Sequence, residues 1–264
     1  MPGVTVNGLL FHVQTMGDPS APPVVMAHGL LTGNAASWYF GLAPVVARSR
    51  YVFLYDQRGH GRSERPASGY TLTQLADDMD SLTGGLGPCT VVGHSYGGVV
   101  ALRHALTRPE RVTALVLVDS FVPVAPSNGE DPGAIDLDAV RTSRLGGRRS
   151  VPGATPTTER RRRRTTAEQE LLGSTSVLHD LRSDSVLDPA GLADLQVPVL
   201  CAVGADSPFR GDVEALADLL PAGRRQVHVL PGGHALHLDA PEHLAELVTA
   251  FLDENERAGA GSRG

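Results

Sequence analysis

Short apolar runs alternate with segments of helix length along most of this chain of 264 residues. The runs lack a period of two, which is typical of strands buried on both faces of a parallel sheet. Strands alternating with helices indicate right-handed β-α-β units, and thus a mostly parallel sheet with helices on both faces. Strands are predicted at two places within 4–15 and at 23–28, 51–55, 90–93, 114–118, 197–203 and 226–230. Helices are predicted at 36–47, 72–82, 96–106, 213–220 and 241–251.

One interval, residues 121–195, breaks this alternation. It is rich in Pro, Gly, Ser and Arg, and a loop of this length in a compact domain is usually functional or disordered. We therefore predict a lid at 121–195, mobile over 125–160 and best ordered over 167–181. The lid would separate two parts of the core, 1–120 and 196–256, and a disordered tail is expected at 257–264.

Nine Arg and a single acid, Glu159, lie within residues 141–164 of this interval. A solvated loop, a surface for an acidic substrate or partner, and a contact with nucleic acid are all open interpretations. The net charge of −6 and the pI of about 5.9 give no general electrostatic reason to bind nucleic acid or an anionic membrane. No stretch approaches the ~20 apolar residues of a membrane span, so a cytoplasmic protein is expected.

The strongest chemical signal is a glycine-flanked serine between a predicted strand and a predicted helix. A nucleophilic serine must stand above the sheet, so the chain turns sharply and leaves no room for side chains two residues to either side. The new helix also directs backbone N–H groups at developing negative charge. Ser95 is therefore the candidate nucleophile, in the sequence Gly93-His94-Ser95-Tyr96-Gly97-Gly98.

A second signal follows an earlier strand, in His28-Gly29-Leu30-Leu31. A tetrahedral intermediate needs two preorganised donors on its oxyanion. The N–H of Tyr96, which follows the serine, is one candidate. The N–H of Leu30 is the other, because Gly29 lets the backbone approach closely. We expect His28 to hold the shape of this loop and to take no part in the chemistry.

The candidate base is His234, which follows two glycines after the last predicted strand. From such a loop an imidazole can reach a serine at the strand ends. His237 competes with it but is expected to pack locally. A metal pair formed by the two histidines is disfavoured, because no third ligand is at hand.

An acid must orient the imidazole of this histidine. Asp206 is the preferred candidate, because it lies just past the predicted strand 197–203 that precedes the one leading to His234. Asp119, at the end of the predicted strand 114–118, is the second candidate. The chain order Ser, Asp, His is the order expected for a sheet of this kind.

Together these motifs resemble the α/β-hydrolase superfamily over about residues 9–252. The resemblance includes the D-x-R-G-x-G-x-S turn at 56–63 and the G-H-x-x-x-x-D-x-P-E terminus at 233–242. It implies an α/β-hydrolase fold with an eight-stranded sheet, and no catalytic role for Arg58 or His60. The serine motif is similar to those of small esterases, lactonases and the non-haem haloperoxidase-like group, so perhydrolysis is a conceivable side activity.

The resemblance and the residue chemistry together predict a serine hydrolase that works through an acyl-enzyme without a metal or organic cofactor. Dehalogenases and epoxide hydrolases on this scaffold use Asp where this chain has Ser95. The first hypothesis is hydrolysis of an ester or lactone of a medium-sized, partly apolar metabolite. The second is hydrolysis or transfer of a thioester, with an acyl carrier protein as a conceivable partner for the Arg-rich lid. The third is a non-catalytic binding protein. Leu31, Trp38 and Phe121 are the candidate substrate contacts, and for Trp38 plain core packing is an equally open interpretation.

Overall fold

The computed structural model describes residues 3–31, 33–121, 158–184 and 187–261. Side chains are described for 3–31, 33–121, 166–184 and 187–258. The Arg-rich stretch at 141–164 and the part of the lid predicted to be mobile lie outside the described side chains.

Eight strands form one sheet in the order β1-β2-β4-β3-β5-β6-β7-β8. The pairs β1–β2 and β2–β4 are antiparallel, and every other neighbouring pair is parallel. The prediction of a mostly parallel eight-stranded sheet is confirmed. The strands are β1 Gly3–Val6, β2 Leu9–Met16, β3 Pro23–Ala27, β4 Tyr51–Tyr55, β5 Cys89–His94, β6 Val112–Val118, β7 Val199–Gly204 and β8 Arg225–Leu230.

Helices cover both faces of the sheet. They are α1 Ala36–Tyr39, α2 Leu42–Val46, α3 Leu72–Thr83, α4 Tyr96–Thr107, α5 Thr158–Ser174, α6 Val177–Ser183, α7 Pro189–Ala193, α8 Arg210–Leu219, α9 Leu236–Asp239 and α10 Pro241–Gly261. Short 3-10 turns lie at Pro109–Arg111 and Ala222–Arg224. Among the described helices, none is long and apolar enough to cross a membrane.

The core consists of two apolar layers, because successive residues of a buried strand point to opposite faces. In β5, Val91 packs in the layer that α3 and α4 cover, whereas Val92 packs in the layer beneath α2 and α10. Both valines are completely buried. This burial on two faces explains why the strand sequences are continuously apolar.

Three helix boundaries differ from the prediction. The helix expected at 36–47 is interrupted at Phe40 and Gly41, where the Gly41 backbone leaves helical geometry (φ −129°, ψ −96°). The segment expected at 167–181 is two helices, α5 and α6. The tail predicted to be disordered from residue 257 continues α10 as helix through Gly261, where Arg257, Ala258 and Ala260 are good helix formers.

The described second half of the insertion packs on the core. Leu171, Val177 and Leu181 are buried against the apolar layer that α3 and α4 cover. Asp180 accepts hydrogen bonds from the backbone N–H groups of Gly69 (3.2 Å) and Tyr70 (2.8 Å). These contacts anchor α5 and α6 to the loop that precedes α3. The boundaries of the insertion and its action as a lid stay predictions.

His104 is a buried histidine on the inner side of α4. The residue has no exposed surface, and neither ring nitrogen has a hydrogen-bond partner among the described residues. Burial lowers the pKa of His104 to about 4, with a smaller opposing effect of the Asp80 charge. The folded state therefore holds this imidazole neutral at a pH where the unfolded chain protonates it.

We predict that acid destabilises the protein through His104. Because its folded pKa lies below the unfolded value, its contribution is complete above pH 6.5 and is lost as the pH falls towards about 4. The free energy of unfolding of His104→Leu, relative to wild type, should rise by up to about 3 kcal/mol over this range. Urea unfolding at several pH values measures it, with the exposed His228→Leu as the control. Parallel pH curves for wild type and His104→Leu would contradict the prediction.

Candidate active site

Ser95 lies in the turn between β5 and α4, at the carboxyl ends of the parallel strands. Its backbone adopts φ 54° and ψ −125°, a conformation that non-glycine residues rarely occupy. A Cβ at Gly93 would lie 2.4 Å from the backbone of Gly98, and one at Gly97 would lie 2.5 Å from the carbonyl oxygens of Ala27 and His28. The turn is therefore sterically possible only with glycine at both positions, as predicted from the sequence.

The close approach at Gly97 also packs the start of α4 against the loop after β3. Leu30 lies in this loop and Tyr96 at the start of α4, and both residues are nearly buried. The two backbone segments proposed to supply the oxyanion donors are therefore neighbours.

The loop after β3 is held in place by the turn that follows β4. Asp56 accepts hydrogen bonds from the N–H of Ala35 (2.6 Å) and of Arg62 (2.9 Å). The N–H of Gln57 donates to Nε2 of His28 (2.9 Å), so the proton of this imidazole is on Nδ1, which donates to the Gly29 carbonyl. These contacts are consistent with a structural role for His28.

His234 reaches Ser95 from the loop after β8. Its Nε2 lies 3.0 Å from Oγ of Ser95, and its Nδ1 lies 2.7 Å from Oδ2 of Asp119. Neither His234 nor Asp119 has any exposed surface, and Ser95 is 3% exposed. Because a carboxylate only accepts, Nδ1 carries the proton, and Nε2 is left to accept the hydroxyl proton of Ser95.

The acid against His234 is Asp119, not the preferred candidate Asp206. Strand β7 ends in a turn closed by a hydrogen bond from the N–H of Ser207 to the Gly204 carbonyl (3.1 Å). Asp206 is exposed in this turn, whereas Ser207 is buried. Asp119, the residue after β6, occupies the interior position. Both aspartates follow a buried strand, so the local sequence does not distinguish them.

Backbone strain is concentrated at this site. Besides Ser95, Leu31 (φ 68°) and Asp119 (φ 45°) have positive φ, and each lies directly after the end of a central strand or in the loop that follows it. Such conformations cost about 1–3 kcal/mol each and persist only where surrounding structure enforces them. They are typical of functional sites.

Two hydrogen bonds hold the main chain of the loop that carries His234. Nε2 of His94 donates to the His234 carbonyl (2.8 Å), and the Asp239 carboxylate accepts from the N–H of Gly233 (2.9 Å). Partial burial raises the pKa of Asp239, and the bond from Gly233 opposes this rise. His94 and Asp239 thus help to position the backbone from which the imidazole of His234 extends.

An aromatic pair borders the imidazole. Phe121 and Phe209 stack at 4.2 Å between ring centroids, and the Phe209 ring meets His234 edge to face at 4.8 Å. Phe121 was a candidate substrate contact. Phe209 was not foreseen, although its position three residues after Asp206 places it in the same strand-end loop.

The other candidate substrate contacts are placed differently. Trp38 has no exposed surface and packs against the rings of His94 and His237 in the layer under α2 and α10. Trp38 is a core residue, because α1 places it on the face of the sheet that α2 and α10 cover. Leu31 is 5% exposed and belongs to the opposite layer, in the strained loop beside Ser95.

Arg58, His60 and His237 each contact residues of the surrounding scaffold. Arg58 forms a buried double hydrogen bond with Asp78, at 2.6 and 2.7 Å. His60 packs against His28, and its Nδ1 lies 2.9 Å from the Arg58 carbonyl. His237 packs between Trp38 and His94. These contacts agree with the expectation that Arg58, His60 and His237 take no part in the chemistry.

The geometry at Ser95 is suited to acyl transfer. A serine hydroxyl, an imidazole and a buried carboxylate form one chain of hydrogen bonds beside the loop after β3 and the start of α4. The imidazole can take the hydroxyl proton, and the carboxylate can stabilise the imidazolium that forms.

Comparison with known proteins gives consistent matches. The sequence profile described as "Alpha/beta hydrolase family" matches residues 24–247. The chain is 36% identical over 115 residues to a putative carbamate hydrolase, RutD, of Variovorax paradoxus (strain S110), a match covering 42% of each chain. It is 32% identical over 263 residues to polyketide synthase ThaQ of Burkholderia thailandensis, covering 90% of this chain and 12% of ThaQ. These two matches span less than half of either relative.

Among solved structures, the fold is similar to that of Est816, described as an N-acyl homoserine lactone degrading enzyme. The TM-score is 0.72 with 25% sequence identity, and the match covers 95% of this chain and 100% of Est816.

We predict that Asp119, and not Asp206, controls the reactivity of Ser95. Asp119→Asn should slow labelling of Ser95 by a fluorophosphonate by about 10²–10⁴-fold, because an amide favours the wrong tautomer of His234. Asp206→Asn, the matched control, should label within about twofold of wild type, since exposed substitutions rarely disturb a site. The opposite ranking of the two variants would return the role of the acid to Asp206.

Proposed function

Because the chain belongs to the alpha/beta hydrolase family, we propose that it is a serine hydrolase that cleaves a carboxylic ester or lactone through an acyl-enzyme. The substrate would be a small to medium-sized, partly apolar metabolite. No metal or organic cofactor enters the proposed reaction.

The observation that supports this proposal most directly is the buried chain of hydrogen bonds from Ser95 through His234 to Asp119. Its two links, at 3.0 and 2.7 Å, are within the range for direct proton transfer and for fixing a tautomer. Three separate strand ends supply these side chains. A purely structural cluster would not require a serine in a strained backbone conformation.

In the first half of the proposed reaction, Oγ of Ser95 attacks the acyl carbon while Nε2 of His234 takes the hydroxyl proton. The negative charge moves to the carbonyl oxygen, which the N–H groups of Leu30 and Tyr96 would hold. The bond to the leaving oxygen then breaks, and His234 returns the proton to the leaving alcohol. In a lactone this alcohol stays attached to the acyl group.

In the second half, a water molecule takes the place of the serine hydroxyl. His234 removes a proton from water as it attacks the acyl-enzyme, and the same two N–H groups hold the second oxyanion. When the bond to Ser95 breaks, His234 returns the proton to Oγ, and the free acid leaves. Asp119 stays ionised throughout and stabilises the imidazolium in both halves.

The surroundings of His234 support an apolar substrate. The stacked rings of Phe121 and Phe209 border the imidazole, and Leu31 lies in the loop beside Ser95. Apolar walls with few polar groups are typical of small-molecule sites. The similarity to Est816, with its lactone-degrading activity, supports the inclusion of lactones.

A thioester is the second candidate substrate, and one observation favours it. A relative that matches 90% of this chain is named polyketide synthase ThaQ, which points to a possible acyl-carrier context. The same serine chemistry would release or transfer a thioester-bound acyl group, with an acyl carrier protein as the partner. The Arg-rich stretch at 141–164 offers the positive charge that an acidic carrier would need.

The first test is intact-mass detection of a fluorophosphonate adduct. We predict one adduct on wild type and none on Ser95→Ala, because only an activated serine reacts and the variant lacks its oxygen. Turnover of short aryl esters and lactones should fall by about 10⁴-fold or more in Ser95→Ala, while its thermal unfolding stays close to that of wild type.

The same preparations distinguish the candidate substrates. Preference for esters and lactones over acyl thioesters supports the main proposal, and a strong preference for carrier-bound thioesters supports the second. If the fluorophosphonate does not label the wild-type protein, and the protein hydrolyses none of the esters, lactones and thioesters, both proposals are contradicted. A binding protein on the hydrolase fold is then favoured.

A further inference from the structure

Within the described part of the chain, the carboxylate of Asp119 accepts hydrogen bonds from three donors, of which His234 is only one. Oδ1 accepts from the backbone N–H of Gly204 at 2.8 Å. Oδ2 accepts from Nδ1 of His234 at 2.7 Å and from the hydroxyl of Ser207 at 2.5 Å. The hydroxyl of Ser207 therefore shares with the imidazole the one oxygen on which the proposed mechanism depends.

The two partners of the Ser207 hydroxyl settle the direction of its bond to Asp119. The backbone N–H of Phe209 donates to Oγ of Ser207 at 3.2 Å, so this oxygen acts as acceptor there. A carboxylate oxygen only accepts, so the hydroxyl proton of Ser207 points at Oδ2 of Asp119. Ser207 is 8% exposed, and water has little access to replace either bond.

The backbone of the turn after β7 also holds Ser207 in place. The N–H of Ser207 donates to the Gly204 carbonyl at 3.1 Å, and the N–H of Asp206 donates to the Gly232 carbonyl at 2.9 Å. The same turn thus contacts the loop that carries His234. Its segment 207–209 contributes both the hydroxyl on Asp119 and the Phe209 ring on His234.

We propose that Ser207 is a positioning residue that acts through Asp119. It holds Oδ2 in line with Nδ1 of His234 while the backbone of Gly204 holds Oδ1, so the carboxylate cannot rotate away when the imidazolium forms. This inference rests on the proposed serine hydrolase activity. It adds a fourth side chain to the line Ser95–His234–Asp119 and explains why a carboxylate at the end of β6 is held so firmly.

The test compares Ser207→Ala, Ser207→Thr and the control Ser176→Ala. Ser176 donates a bond of the same length, 2.5 Å, to Asp180, away from Asp119. We expect Ser207→Ala to lower kcat about tenfold to a hundredfold with little change in KM, because a charged hydrogen bond used in the transition state is lost. Ser207→Thr keeps the hydroxyl and should recover most of kcat, and Ser176→Ala should keep all of it.

Proton NMR of the resting protein gives a readout that does not depend on turnover. The proton between His234 Nδ1 and Asp119 should resonate at low field and disappear in Asp119→Asn. Ser207→Ala should move it further downfield, because Oδ2 then serves one donor, whereas Ser176→Ala should leave it in place.

An unmoved resonance with unchanged kcat in Ser207→Ala would overturn the inference, as would a Thr variant as slow as the Ala variant. If wild type carries the low-field proton, and Ser207→Ala moves it, but wild type labels with no fluorophosphonate, the proposed function fails while the positioning role of Ser207 stands. If wild type labels and Ser207→Ala behaves like wild type, only the role of Ser207 fails.

Discussion

The hydrogen bond between Asp119 and His234 joins parts of the chain that are 115 residues apart, and the site depends on it. Both side chains are completely buried, so neither can exchange its partner for water. A buried carboxylate or imidazole left alone carries a large desolvation cost, which makes the two positions mutually dependent. The parallel pairing of β6 with β7 and of β7 with β8 brings their strand ends together, and this alignment makes the bond possible.

The strain at the site is enforced by the same scaffold. Ser95, Leu31 and Asp119 hold positive φ angles that an isolated chain would avoid. The N–H of Ser95 donates to the Val118 carbonyl (3.0 Å) and the N–H of Asp119 to the Ala202 carbonyl (2.7 Å), so the sheet pairing continues into both strained residues. The stability gained from two apolar layers offsets this local cost. A rigid sheet with strained ends is therefore the physical basis of the geometry at Ser95.

The residues that the sequence identified are those whose local environment admits few alternatives. Glycines at 93 and 97 indicate the tight turn that lifts Ser95 above the sheet. His234 follows a pair of glycines after the last strand. The choice between Asp119 and Asp206 could not be made locally, because it depends on whether the turn after β7 buries Asp206 or Ser207. Trp38 was equally ambiguous, since an aromatic residue near a strand end suits both a core and a pocket. The separation of α1 from α2 decides that Trp38 belongs to the core.

A crystal structure of the fluorophosphonate adduct would test the central claim most directly. The account predicts phosphorus on Oγ of Ser95, a phosphonyl oxygen within hydrogen-bond distance of the N–H groups of Leu30 and Tyr96, and His234 still bonded to Asp119. A phosphonyl oxygen that faces away from both N–H groups, or an imidazole paired with Asp206, would contradict it.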